Sequence, residues 1–186
     1  MSKTLQESME NFQDFEPTRV ERNGQAYVET YNFIKEEVER HLVKYRKLER
    51  LNQTGRLTRD QLDELLRRYH DYVIAGKYKA HYRQVGLKSK EGNIFEHVIP
   101  TRTVRNLLIS GVWNVDQAMN PPTCLLDRTS NDLLSSFKLT KSTPNTSFFW
   151  RRYRDLNIKI ETYDGTPVDQ ETWDWRTHCE YFNILL

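Results

Sequence analysis

Asn93-Ile-Phe-Glu-His-Val-Ile-Pro100 decides how this chain is read, together with Thr123-Cys-Leu-Leu-Asp-Arg-Thr-Ser-Asn131 about thirty residues later. Ile94 to Ile99 combines β-branched and aromatic residues and stops at Pro100, which predicts a strand. The prolines Pro121 and Pro122 punctuate the chain before Thr123 to Leu126, a second short extended piece. Thr129 or Ser130 then offers an N-cap, and Asn131 to Phe137 predicts a short helix behind it. The reading is therefore strand, strand, helix, with Glu96 and His97 side by side at the end of the first strand.

Upstream the periodicity changes. Ala26, Tyr27, Tyr31, Ile34, Val38, Leu42, Tyr45 and Leu48 recur at intervals of three and four, which predicts one apolar face of a long helix from about Gln25. Asn52 to Gly55 breaks it, and Thr58 with Gln61 makes a capping box for a second helix carrying Leu62, Leu65, Leu66 and Tyr69. Two helices joined by a short turn predict an antiparallel hairpin. A basic piece follows from Lys77 to Val85, and His41, His70 and His81 in this region read as packed or surface histidines. Residues 1 to 22 are polar and weakly periodic and read as a flexible N-terminal arm. The organisation is thus an arm over 1–22, a helical region over 23–90, and a mixed region over 91–186.

Within that last region, Val104 to Ile109 is an apolar run of ambiguous type, and Val112 to Val115 offers a further strand. Asn145 or Thr146 predicts the start of a helix with Phe149, Trp150, Tyr153 and Leu156 on one side. Ile158 to Ile160 and Val168 predict a small hairpin across Asp164-Gly165.

Composition narrows the class. Charged residues make up 29% of the 186, yet aromatics reach 12%, enough apolar surface for a real core. The net charge of +2 conceals a gradient: residues 1–92 carry +3, residues 93–160 carry +4 and residues 161–186 carry −5. Positive charge surrounds the Glu96-His97 pair, and Arg102, Arg105, Arg128, Lys138, Arg151 and Arg152 are candidates for contacts with nucleic-acid phosphates. Trp150-Arg-Arg-Tyr-Arg154 interleaves rings with cations; at helical spacing the rings face the core and the arginines face solvent. Cys124 and Cys179 lie far apart with no CxxC spacing, so neither a disulfide framework nor a zinc ribbon is predicted. His178 and Cys179 lack companion ligands for a zinc site. No run of 18 apolar residues and no signal-peptide pattern occurs, so a soluble, cytoplasmic protein is expected.

The residues resemble a known family. Glu96-His97-Val-Ile-Pro100 is similar to the Asp-His-Ile-x-Pro signature that opens HNH endonucleases, the ββα-metal nucleases of homing enzymes and phages, and Thr123 to Asn131 resembles the stretch that closes their motif. The resemblance covers about residues 93 to 138. It implies a small ββα-metal core; joined to the elements read from periodicity, the expected fold is α+β, an N-terminal long helical hairpin packed on that core, followed by a C-terminal helix and β-hairpin. The resemblance implies His97 as the general base, Glu96 as a metal ligand in place of the usual Asp, and Asn131 as the second ligand, with Asn120 or no residue as the middle Asn. The cofactor implied is one divalent cation, Mg²⁺ or Mn²⁺.

That chemistry has a physical logic. Phosphodiester hydrolysis needs a base that works near neutral pH and a cation to stabilise charge on phosphate and leaving oxygen; histidine and an oxygen-ligated ion supply both. The expected function is metal-dependent DNA cleavage, of the stand-alone phage type, with DNA as partner and the N-terminal helices as a candidate homodimer interface. Two alternatives stand beside it. One is a non-catalytic nucleic-acid-binding or protein-interaction module on a degenerate nuclease fold; the other is an adaptor that docks a partner through the long helices.

Overall fold

A computed structural model describes residues 25–51, 56–70, 80–87, 93–137 and 146–184. The expected arm over 1–22, the turn at Asn52 to Gly55 and Lys138 lie outside the described residues. The fold is α+β, with helices arranged around a four-stranded mixed sheet.

Helices α1 (Gln25–Arg50) and α2 (Arg56–Arg68) come first. The three- and four-residue spacing puts Ile34, Val38, Leu42 and Tyr45 of α1 on one stripe. They are buried with Leu62, Leu65, Leu66 and Tyr69 from α2 and the residue following it. Each such side chain contributes about 1.5–3 kcal/mol on full burial, so this seam alone outweighs the weak intrinsic stability of an isolated helix. The second helix starts at Arg56, two residues before the Thr58 cap predicted from sequence.

The sheet strands are β1 (Tyr82–Gln84), β2 (Ile94–His97), β3 (Thr123–Leu126) and β4 (Ile160–Thr162), in the spatial order β2-β3-β1-β4. The predicted first strand stops at His97, two residues short of Ile99. β2 and β3 are antiparallel, with Glu96 opposite Cys124 and His97 opposite Thr123. β1 runs parallel to β3 and antiparallel to β4. The helical region therefore ends before residue 90, because Tyr82, taken from sequence as part of a helical stretch, is a fully buried residue of an inner strand.

Between β2 and β3 the chain forms α3 (Thr101–Ile109) and α4 (Val115–Met119). The ambiguous run Val104 to Ile109 is helical. Val112 to Val115 is not a strand: Gly111 takes φ +76° after α3, and Asn114 caps α4 in a reciprocal capping box with Gln117. After β3, helix α5 (Arg128–Ser136) packs on β2. Its cap is Asp127, whose carboxylate accepts from the Ser130 amide at 2.7 Å, rather than Thr129 or Ser130.

Helix α6 (Arg151–Asp155) is shorter and later than the predicted helix from Asn145 or Thr146; Asn145 is outside the described residues and Thr146 is not helical. The predicted C-terminal hairpin is reduced to β4 and a single bridge from Glu161 to Pro167. The chain then forms α7 (Trp175–Phe182), which the sequence reading did not contain. Polar ties join the helical hairpin to the rest: Lys35 pairs with Asp116 at 2.8 Å, Tyr31 donates to the same carboxylate, and Arg105 pairs with Asp63 at 3.5 Å. No helix among the described residues is long and apolar enough to cross a membrane.

Candidate functional site at the end of strand β2

Strand, strand and helix stand in the order that the sequence predicts, with β2 and β3 paired and α5 following. The side chains at the strand end are disposed differently from the roles assigned to them. Successive side chains on a strand point to opposite faces, and Glu96 and His97 part accordingly.

Glu96 meets Arg152 of α6. The guanidinium donates to its carboxylate at 2.7 Å, to the His97 carbonyl at 3.1 Å, to the Val98 carbonyl at 2.9 Å and to the Tyr153 hydroxyl at 3.0 Å. The Arg152 side chain is wholly inaccessible and Glu96 nearly so. Burial raises the Glu96 carboxyl, and the adjacent guanidinium pulls it partly back. An ion pair at this depth needs such added hydrogen bonds to offset the loss of water. The predicted role of Arg152 on DNA is corrected here: its charge faces inward and is spent on Glu96 and two strand-end carbonyls.

His97 faces the helical hairpin. Its ring centroid lies 5.3 Å from that of His70, just past α2, and 5.1 Å from that of Phe95. Burial, reinforced by the positive Arg67, lowers its pKa to about 4, so the imidazole is neutral at neutral pH. His70 is also held well below its ordinary value by burial and by His97. Its Nε2 lies 3.2 Å from the Ala118 carbonyl, and a carbonyl can only accept, so Nε2 carries the proton.

Asn131 sits half-buried in the first turn of α5, its amide donating to the Asp127 carbonyl at 3.1 Å. Asp127 is held by Ser130 and by Gln84 at 2.9 Å, which lowers its pKa and commits its oxygens to the cap. Asn120 caps α4, donating to the Asp116 carbonyl at 2.9 Å and accepting from His178 at 2.9 Å. The residues assigned to Mg²⁺ or Mn²⁺ do not fit that role: the one carboxylate is neutralised by Arg152. No group of three His, Cys, Asp or Glu among the described residues could hold a metal ion.

Among the predicted DNA contacts, Arg102 and Arg128 are exposed, Arg151 is exposed beside Asp155 at 3.6 Å, and Arg105 is 7% exposed against Asp63. Trp150 and Tyr153 are buried.

Sequence reasoning missed two features. One is His70, whose approach to His97 depends on tertiary packing. The other is a buried relay in which Trp173 Nε1 donates to Tyr82 Oη at 2.9 Å, Tyr82 lies 2.7 Å from His178 Nδ1, and His178 Nε2 donates to Asn120. His178 is thus a packed residue of α7. Comparison with known proteins finds no family model, no curated protein and no solved structure that matches the chain.

Proposed function

We propose that this chain is a non-catalytic nucleic-acid-binding module on a frame similar to that of ββα nucleases, in which an internal arginine takes the place of the cation beside Glu96. The observation that carries this reading is the Arg152 to Glu96 contact at 2.7 Å. A carboxylate that already accepts from a buried guanidinium has little to offer a divalent ion. Exposed arginines on α3, α5 and α6 supply positive charge with which phosphates can pair.

A second reading, metal-dependent DNA cleavage, is favoured by one specific observation: the order β2, β3, α5 with a neutral His97 at the strand end. One experiment separates the two. Plasmid nicking is assayed with Mg²⁺ or Mn²⁺ for the wild type and His97→Ala, alongside DNA binding across a salt series. The expected outcome is salt-sensitive binding with no metal requirement and no cleavage by either protein. Metal-dependent nicking that disappears in His97→Ala would overturn the binding reading in favour of the nuclease.

A further inference from the structure

Helices α2 and α3 bring arginines together along one seam. Asp63 of α2 is shared between Arg67, at 3.6 Å on its own helix, and Arg105 of α3, at 3.5 Å. Arg67 also reaches the Thr101 hydroxyl at 3.5 Å, where α3 begins. Arg59 lies against Tyr45 of α1, donating to its hydroxyl at 3.1 Å, and is exposed, as is Arg102. Arg59 and Arg102 are both close enough to lower the pKa of Arg105, which burial lowers first. The acidic groups facing this set are Asp60, Asp63 and Glu49; Glu64 is paired with Arg68 at 2.6 Å. Counting the buried Arg105, four arginines stand against these three carboxylates.

The layout is a row rather than a pocket. Arg59 and Arg67 are eight residues apart on one helix, about 12 Å along its axis, and the exposed Arg102 follows Thr101, which Arg67 reaches, at the start of α3. A single small anion could touch only one end of such a row. A polymer with regularly spaced phosphates can touch both ends, and the planar guanidinium fork matches phosphate geometry.

We infer that the seam between α2 and α3, centred on Arg59, Arg67 and Arg102, is the surface on which this protein holds a nucleic-acid phosphate backbone, with the buried Arg105 beneath it held by Asp63. The inference rests on the binding reading above and names the face that does the binding. The competing cations are Arg128 on α5 and Arg151 on α6, both exposed.

The test uses the full chain and a short fluorescent duplex DNA, with affinity measured over a salt series. Arg59→Glu/Arg102→Glu is compared with Arg128→Glu/Arg151→Glu, two pairs of exposed residues with equal charge change. The seam pair is expected to weaken binding at least about tenfold more than the other pair, and to lower the slope of log affinity against log salt by about 2, near one unit per lost phosphate contact. Wild-type affinity in the seam variant, or an equal loss from both variants, overturns the seam while the binding reading stands. A wild type that binds no duplex overturns the binding reading and the seam with it.

Discussion

Arg152 is the residue on which the strand end depends. Four of its contacts, to Glu96, to two carbonyls of the β2 end and to Tyr153, are made where water cannot replace them. Removing one partner leaves the other as an uncompensated buried charge, which costs about 3–5 kcal/mol. Arg152→Ala is therefore expected to lose that much in urea unfolding, whereas Arg152→Met/Glu96→Gln should recover a substantial part of it by removing both charges. A single variant as stable as the wild type would show that the pair holds nothing. Glu96 and His97 stood out in the sequence as neighbours of the right chemical type. The partner of Glu96 did not, because Arg152 lies 56 residues further along and was counted among surface cations. No local pattern distinguishes an arginine that faces solvent from one that turns inward.

At the scale of the element, the hydrophobic period located most of the secondary structure, and the caps set its limits. Asp127 begins α5 and Asp174 begins α7, each accepting from the amide three residues on, at 2.7 Å and 2.8 Å. Asp127→Ala and Asp174→Ala are each expected to cost about 1 kcal/mol, read as a shift in the denaturant midpoint with an unchanged slope. A change below about 0.3 kcal/mol at either site would mean that packing alone fixes that helix start. Helix α7 was legible in part: Asp174 precedes Trp175, His178, Cys179 and Phe182, an i, i+3, i+4, i+7 stripe. It escaped notice because tryptophan, threonine, histidine and cysteine are poor helix formers, and burial of His178 and Cys179 outweighs that propensity. Val112 to Val115 failed in the opposite direction. Its β-forming residues suggested a strand, but the left-handed Gly111 and the Asn114 capping box turn the chain into α4.

Across the whole molecule, His70 and His97 meet where the helical hairpin joins the sheet, and this junction makes stability depend on pH. An unfolded histidine titrates near 6.5, while His97 in the fold is held at about 4 and His70 also well below its usual value. Between those values the unfolded chain binds protons that the folded chain refuses. Stability is therefore full above about pH 6.5 and falls as pH drops from there toward 4, with His97 alone accounting for about 3 kcal/mol. Glu96, raised by burial, works in the opposite sense, since the folded chain takes up that proton first. Urea midpoints from pH 7 to pH 5 should fall steeply for the wild type and less steeply for His97→Gln; identical slopes would remove His97 from the effect. The sequence by itself determined an α+β chain with a long helical hairpin and the succession of two strands and a helix, because apolar periodicity and turn residues act over a few neighbours. Only the tertiary structure decided that Glu96 faces Arg152, that His97 faces His70, and that Tyr82 belongs to an inner strand. Those outcomes depend on which distant side chain arrives on which face of a strand, and on whether burial leaves a charge its water.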